Sequence, residues 1–336
     1  GNERMKTWRE RVLNNRGVAL ITVILIVGVL VAFAIELNRS ARADIYDAAS
    51  VSDGIKLAYI AKSGVYGAVA LLTGSETEYD TLFDDWANME VLSAKSKDLF
   101  ENGYFIVKVE DEMGKIPLNK LVKVEGNEYV YNNTIKDILL RLLSQPEFAL
   151  GEEKAEEIVG AIKDWIDADD EVTGGSAESL YYSTLDPPYK AKNAPLECIE
   201  ELLMIKGVTK EIFSGTKEKP ALSQYVTVDS TGTININTAP LMVLRALSVK
   251  ITPEVAQKMD EFRRSKNPSL ANNDWWYRDP NFAGLLNQQD IAAELTVKSH
   301  YFKIISTGEM NEMKQTITTV IKRDGSSGNI LKWRIN

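Results

Sequence analysis

The residues best suited to chemistry lie in an acidic stretch between positions 164 and 178. Carboxylates occupy positions 1, 3, 5 and 12 of a twelve-residue segment: Asp167, Asp169, Glu171 and Glu178. Oxygen ligands at alternating positions, closed by a distal glutamate, form loops that bind calcium. Position 6 is Val172, where such a loop has glycine, and glycines follow at 174 and 175. The spacing therefore indicates a calcium loop with an imperfect match. A solvated acidic loop at a helix end is the alternative.

The composition limits the chemistry that the rest of the chain can support. The 336 residues suit two globular domains and carry a formal net charge of −9. Single copies of cysteine (Cys198) and histidine (His300) exclude an intrachain disulfide, a cysteine-based zinc site and a two-histidine metal site. Serine–lysine and two-carboxylate mechanisms remain open. An acidic chain is unusual for a protein that holds nucleic acid. Calcium in the acidic loop would be structural, since no convincing nucleophile or base pair stands beside it.

The N-terminal segment predicts a membrane span. Residues 1–17 carry five basic and two acidic residues, and the next 18 residues, Val18 to Ile35, carry no charge. A helix of this length covers roughly 27 Å, just enough to cross the core of a bilayer. Basic residues before the span and Glu36 after it place the N-terminus in the cytoplasm. The bulk of the chain is then expected outside the cytoplasmic membrane.

The junction Arg16-Gly17-Val18 resembles the cleavage site of a type IV prepilin leader. In that family a prepilin peptidase cuts after the glycine on the cytoplasmic side, and the apolar segment remains as the start of a long helix. The resemblance implies a leader over residues 1–17 and a mature chain that begins at Val18. An ordinary signal peptide, whose apolar core is shorter, and an uncleaved signal anchor are the alternatives.

A continuous helix is predicted from Val18 to about Leu72, because the first proline is Pro117. Beyond the membrane a stripe recurs at three- and four-residue steps: Ile45, Ala48, Ala49, Ser52, Ile55, Tyr59, Ile60 and Ser63. We expect the upper half of this helix to pack on a globular head. Pilin-like proteins mostly carry glutamate at the fifth mature position, which is Thr22 here. Without that carboxylate a buried ion pair between neighbouring subunits cannot form, which favours a place at a filament tip. By itself, the threonine equally fits a protein that is not a pilin.

The remaining sequence alternates between strand and helix patterns. Strands are indicated at 103–110 with 115–119 as a pair, at 224–238, and at 301–307, 315–322 and 330–335 as an antiparallel meander. Two helical stripes lie between them, the first behind a cap at Asn133: Ile135, Ile138, Leu139, Leu142 and Leu143; and Ala155, Ile158, Val159, Ile162, Trp165 and Ile166. We predict an α+β fold with a long N-terminal transmembrane helix and a pilin-like antiparallel-sheet head. A large, mostly helical insertion, SAM-like or helix-hairpin-helix-like, interrupts the head.

The predicted segments follow one another in a simple order. They are the leader (1–17), the N-terminal helix (18–72, with 18–35 in the membrane), the first part of the head (73–120), the helical insertion with the acidic loop (121–223), a strand pair (224–238), a second helical segment (239–296) and the C-terminal strands of the head (297–336).

An internal repeat lies within the helical segments. Residues 194–202 align without a gap with residues 239–247, and Asn193 and Asn237 precede the two copies as candidate helix caps. Each copy is predicted to form two helices joined by a turn. Helix-hairpin-helix modules of this shape bind the phosphates of DNA. The acidic residues around the first copy would repel phosphate, so no nucleic-acid partner is expected.

Taken together, the motifs resemble the protein K family of the type II secretion system, the largest minor pseudopilins. The motifs that carry this resemblance are, in chain order, Gly17-Val18, Thr22, Asp164-Trp165-Ile166-Asp167, Glu178 followed by Tyr181-Tyr182, Pro188-Tyr189, and Ile234-Asn235-Ile236-Asn237-Thr238-Ala239-Pro240. The resemblance implies a place at the tip of the periplasmic pseudopilus, in a complex with minor pseudopilins I and J and in contact with other pseudopilins. It also implies bound calcium, carried onto Asp167, Asp169, Asp170 and Glu178.

The same resemblance implies a role without catalysis. The family helps to initiate pseudopilus assembly for protein export across the outer membrane. The expected location is the inner membrane, crossed once, with a cytoplasmic N-terminus before processing by prepilin peptidase and a periplasmic head. A minor pilin of a type IV pilus or DNA-uptake system is one alternative, which a basic tip surface would favour. A signal-anchored envelope enzyme or sensor is the other, which a polar pocket with an acid–base pair would favour.

Overall fold

The computed structural model describes residues 15–74, 78–169, 171–174, 177, 179–265, 280–286 and 289–336. The chain divides into two compact units, one ending at Tyr59 and the other beginning at Ile60. Residues 1–14 of the expected leader lie outside the described residues, as do Asp170 and Glu178 of the acidic loop.

Apart from the long N-terminal helix, which begins in the first unit and ends in the second, the described residues form many short helices and four small or medium-sized sheets. The helices are α1 (Asn15–Gly74), α2 (Met89–Ser93), α3 (Asn133–Leu143), α4 (Glu152–Ile166), α5 (Ser179–Tyr182), α6 (Lys210–Ser214), α7 (Leu241–Leu247), α8 (Pro253–Ser265), α9 (Pro280–Leu286) and α10 (Gln289–Ala293). Single turns of 3-10 helix span Asp85–Asn88, Ala94–Asp98, Glu112–Gly114, Leu118–Lys120, Pro146–Phe148, Ile199–Met204 and Leu222–Gln224. The strands are β1 (Gly103–Asp111), β2 (Ile116–Pro117), β3 (Val122–Glu125), β4 (Glu128–Tyr131), β5 (Val226–Thr227), β6 (Ile234–Asn235), β7 (Leu295–Thr296), β8 (Tyr301–Met310), β9 (Met313–Asp324) and β10 (Ser327–Ile335).

The first unit consists of the N-terminal part of α1. Among the described residues, this helix is the one long and apolar enough to cross a membrane. Its charge-free side chains from Val18 to Ile35 are exposed, as a lipid-facing surface requires. The predicted stripe beyond the span is also exposed in this unit, for example at Ile45 and Ile55.

The predicted C-terminal meander is confirmed as three strands of the largest sheet, which has the order β1-β8-β9-β10 and is antiparallel throughout. Alternate residues of β8 are buried, which is the pattern of a strand with one face on the core. The last turns of α1 pack on this face, where Ser306 Oγ donates to the carbonyl of Ala61 at 2.7 Å. A Cβ atom at Gly64 would lie 2.2 Å from Ser306 Oγ, so glycine allows the helix to approach this closely.

The outer edge of β1 is covered by the segment that contains α2. Ser96 Oγ bonds both the N–H and the carbonyl of Phe105, each at 2.9 Å, and Ser93 Oγ accepts from the N–H of Val107 at 2.9 Å. Two serine hydroxyls therefore take the place of a neighbouring strand. The edge strand β10, on the other side of the sheet, shifts register between Ile330 and Lys332.

Two strand predictions are wrong. The segments 103–110 and 115–119 do not pair, because a 3-10 turn capped by Asp111 directs the chain away and β1 pairs with β8 instead. The expected strand pair at 224–238 is reduced to β5 and β6, two residues each, which pair in parallel with β2 and β7 rather than with each other. Both short strands are buried, so they do not form an exposed ladder.

The two predicted helical stripes of the insertion are confirmed, since all eleven of their side chains are buried in one hydrophobic cluster. The predicted cap is displaced by one residue, because Asn132 and not Asn133 accepts from the N–H of Ile135. The first repeat copy forms a 3-10 turn and the short α6, whereas the second forms α7 and α8. Asn237 does not cap α7, which begins after Pro240 without a side-chain cap; Asn237 is buried and donates to the carbonyl of Asp80.

A buried polar network links the large sheet with the insertion. We call it the Arg323 network; its side chains belong to Asp80, Asp111, Asn235, Ser299 and Arg323. Arg323 forms an ion pair with Asp80 and donates to the carbonyls of Leu72 and Ser299. Asp111 accepts from the side chains of Ser299 at 2.5 Å, Thr238 at 2.6 Å and Asn235 at 3.2 Å. Burial raises the pKa of Asp111 to about 6, against the effect of these hydrogen bonds.

We predict that Arg323→Met lowers the free energy of unfolding by about 3–5 kcal/mol, because Asp80 would remain buried without its cation. Urea denaturation of the full chain in detergent, followed by tryptophan fluorescence, measures this loss. Arg334→Met is the matched control, because its ion pair with Glu200 has exposed side chains on both sides. Arg334→Met should lower the free energy of unfolding by less than about 1 kcal/mol. Equal losses in the two variants would contradict the role of the network.

Candidate functional site

The acidic loop begins where α4 ends. The helix buries Ile158, Ile162 and Trp165 on its apolar face, and this burial fixes the direction in which the chain leaves at Ile166. Asp167 is the first residue after the helix and has extended backbone angles, while its N–H still donates to the carbonyl of Lys163 at 2.9 Å. The first predicted ligand is therefore held by the last turn of a packed helix.

The start of the loop contains two fully buried carboxylates and a lysine. Asp164 and Asp167 are both 0% exposed. Lys163 Nζ forms an ion pair with Asp167, lies 3.9 Å from Asp164 Oδ1 and donates to Thr173 Oγ1 at 3.0 Å. Thr173 in turn donates its N–H to Asp164 Oδ2 at 2.9 Å. These bonds join the start of the loop to its middle.

The second predicted ligand is more accessible than the first. Asp169 is half-buried, and its Oδ1 accepts from the N–H of Glu171 at 2.9 Å, which makes a tight local turn. The carbonyl of Asp169 accepts from Asn193 Nδ2 at 3.1 Å. Glu171 itself is exposed. The structure thus places Asp167 and Asp169 in one loop but gives them different surroundings, and Asp170 and Glu178 lie outside the described residues.

Three aromatic side chains hold the segment that follows the loop. Trp165 meets the ring of Tyr182 edge-on with centroids 5.2 Å apart, and Tyr182 stacks on Tyr189 at 5.1 Å. The hydroxyl of Tyr182 accepts from the N–H of Lys206 at 3.2 Å, and the hydroxyl of Tyr189 donates to the carbonyl of Met204 at 2.8 Å. The helix before the acidic loop and the segment from Tyr182 onward are therefore both anchored to the core of the insertion.

The donor set of this loop suits a hard cation such as calcium, since carboxylate and hydroxyl oxygens predominate. Oδ1 of Asp167 is buried and has no hydrogen-bond donor among the described residues, so one ligand oxygen remains to be satisfied. Burial raises the pKa of Asp167 to about 6, although the neighbouring Lys163 opposes this shift. Within the part of the chain that the structure describes, no three acidic, histidine or cysteine residues converge. The binding of calcium by Asp167, Asp169, Asp170 and Glu178 therefore stays a prediction.

Sequence reasoning missed Lys163 and Thr173 as parts of this site. Lys163 precedes Asp167 by four residues, the spacing at which side chains on a helix meet, so this pair was visible in the sequence. Thr173 carried no comparable signal, because its contact with Asp164 depends on how the loop returns to the helix. The role of Thr173 in this site can be recognised only from the fold.

The expected processing site lies in the first unit. Gly17 and Val18 are helical and exposed, and a Cβ atom added at Gly17 would meet no other atom within 4 Å. Thr22 Oγ1 donates to the carbonyl of Val18 at 2.8 Å, so its side chain is satisfied within the helix. The cleavage at Gly17–Val18 stays a prediction.

Comparison with known proteins agrees with this architecture. Residues 114–228 match the family profile described as "Type II secretion system (T2SS), protein K". A putative type II secretion system protein K of Escherichia coli K12 is 27% identical over 67% of this chain and 66% of its own length, just under two thirds. Type II secretion system protein K of Aeromonas hydrophila is 23% identical over 95% of this chain and 96% of its own.

A solved structure is similar over most of the chain. It is a chain from the crystal structure of the GspK-GspI-GspJ complex of the enterotoxigenic Escherichia coli type 2 secretion system. The TM-score is 0.61 at 20% identity, and the match covers 85% of this chain and 98% of that chain.

The long N-terminal apolar helix, the antiparallel sheet and the surrounding helices give this chain the mixed α+β fold of that solved chain. In sequence, the chain is similar to protein K of the type II secretion system, through the profile match over residues 114–228 and through the relatives from Escherichia coli and Aeromonas hydrophila.

Proposed function

We propose that this chain is the minor pseudopilin at the tip of a type II secretion pseudopilus, where it joins minor pseudopilins I and J and promotes assembly for export across the outer membrane. The observation that carries the proposal is the similarity to a chain of the GspK-GspI-GspJ complex, which extends over 98% of that chain. The family profile over residues 114–228 supports the same assignment independently.

Thr22 supports a place at the tip. Its hydroxyl bonds back to the carbonyl of Val18, so this side chain presents no carboxylate to a neighbouring helix. A subunit inside a filament would have to neutralise the charged N-terminus of the next subunit within an apolar core, where an uncompensated charge is costly. A subunit at the end of the filament has no such neighbour above it.

The anchor supports a single-pass protein of the inner membrane with its head in the periplasm. The charge-free span from Val18 to Ile35 follows basic residues, which favours a cytoplasmic N-terminus. Prepilin peptidase would remove residues 1–17 and leave Val18 as the first residue. The chain would act through binding to other pseudopilins, without catalysis and without a nucleic-acid partner, which agrees with its net charge of −9.

Calcium would strengthen the insertion at the acidic loop. Asp167, Asp169, Asp170 and Glu178 are the residues we propose to hold it. The ion would supply positive charge that links carboxylates which otherwise repel one another. The buried Oδ1 of Asp167, without a hydrogen-bond donor among the described residues, supports this assignment.

The partner assignment predicts a stable ternary complex. When the full chain is co-expressed with pseudopilins I and J of the same system and extracted in detergent, all three should elute together in gel filtration. In the control, two unrelated single-pass periplasmic proteins replace I and J, and this chain should then elute separately from them. Elution of the chain by itself in the presence of I and J would contradict the proposed partnership.

The processing assignment predicts a mature N-terminus at Val18. Intact mass spectrometry of the membrane-extracted protein, from cells with active prepilin peptidase, should show a chain that has lost residues 1–17. Gly17→Leu should retain them, because the peptidase would no longer find its glycine. If the unaltered chain also keeps its leader, it is a signal-anchored protein and the tip assignment is wrong.

The calcium assignment predicts that chelation destabilises the head. EGTA should lower the melting temperature by about 5 °C or more. A ligand at a hundred times its Kd adds about 2.7 kcal/mol to the free energy of unfolding. For a domain of 150–250 residues, each 1 kcal/mol shifts the melting temperature by about 2–4 °C. Calcium chloride should restore the melting temperature, and magnesium chloride should not. An unchanged melting curve, together with no calcium in elemental analysis, would remove the metal from the proposal.

A further inference from the structure

The acidic loop already contains a cation of its own. The side chain of Lys163 is only 9% exposed, and its ammonium group contacts the buried carboxylate of Asp167. The same group donates to Thr173 Oγ1 at 3.0 Å and lies 3.9 Å from Asp164 Oδ1. One lysine therefore touches the start and the middle of the loop.

This position matters because Asp164 and Asp167 are both fully buried. Moving a carboxylate out of water is expensive unless a cation or several donors compensate for it. Lys163 supplies a positive charge to both carboxylates and ties them to Thr173. The folded loop thus has part of the charge compensation that a metal ion would otherwise have to provide.

Lys163 also limits what Asp167 can offer to a metal. Oδ2 of Asp167 is engaged by the ammonium group, while Oδ1 is buried without a hydrogen-bond donor among the described residues. A divalent ion at this end of the loop would meet one open oxygen and a positive charge next to it. Like charges at such short range repel strongly where water is excluded.

We propose that Lys163 is the built-in cation of the acidic loop: it closes the loop around Asp164, Asp167 and Thr173 without metal, and it weakens the affinity of the loop for calcium. The inference rests on the proposed calcium binding and goes beyond it by naming the residue that sets the affinity. It also means that the loop keeps its shape at low calcium concentration.

The test compares four full-length proteins in detergent: the unaltered chain, Lys163→Met, Lys163→Arg and the control Lys154→Met. Lys154 lies on the same helix and pairs with Glu157 at 2.7 Å, so its removal changes the net charge equally without touching the carboxylates of the loop. Isothermal titration with calcium chloride gives the Kd of each protein. Melting curves in EGTA and in calcium give the dependence of stability on the metal.

Lys163→Met should bind calcium at least about ten-fold more tightly than the unaltered chain. It should also melt at a lower temperature in EGTA and recover in calcium, because calcium then takes over the charge compensation that Lys163 gave to the two buried carboxylates. Lys163→Arg and Lys154→Met should bind calcium within about two-fold of the unaltered chain. Lys163→Gln, which keeps a donor for Thr173, takes the place of Lys163→Met if the latter does not fold in EGTA.

Two results would overturn the inference and leave the proposed calcium binding intact. In the first, Lys163→Met binds calcium no more tightly than the unaltered chain. In the second, Lys163→Met lowers the melting temperature equally in EGTA and in calcium. The second result would mean that Lys163 only forms an ordinary buried ion pair. If neither Lys163→Met nor Lys163→Gln folds even in calcium, the conclusion is the same. If none of the four proteins binds calcium, both this inference and the proposed calcium role are wrong.

Discussion

Arg323 is buried at the end of β9, at the point where the large sheet, the last turn of α1 and the segment around Asp80 come together. A buried guanidinium group is tolerated only when all its donors have partners at the same time. Those partners come from parts of the chain that are far apart in sequence, and the neighbouring Asp111 adds Asn235 of the insertion. The sheet and the insertion therefore depend on one another, since neither can satisfy this network alone.

Periodic features of the sequence were sufficient for the long elements. The meander at the C-terminus could be predicted because three runs with strand-like residues follow one another and turn residues separate them. In β8, buried and less buried residues alternate along the whole strand. The stripes of α3 and α4 could be predicted because apolar residues recur at a helical period. In each case the pattern repeats often enough to identify both the element and its buried face.

Short elements were not predictable in the same way. β5 and β6 have two residues each, too few for a period, and their partners β2 and β7 are distant in sequence. The run that contains Asn235 was predicted to be part of a strand pair, whereas Asn235 is a buried donor of the Arg323 network and Asn237 donates to the carbonyl of Asp80. For the acidic loop, spacing identified the carboxylates, but Thr173 became visible only through the path of the chain. Long-range hydrogen bonds leave no local signature.

The edges of the large sheet have a consequence for copies of this head that meet at high concentration. Unpaired strand edges seed aggregation, because any other extended chain can continue the ladder. In this head the hydroxyls of Ser93 and Ser96 occupy the upstream edge of β1, and a register shift interrupts β10 on the other side. Two copies of the head that meet edge to edge are therefore hindered from continuing one another's sheet.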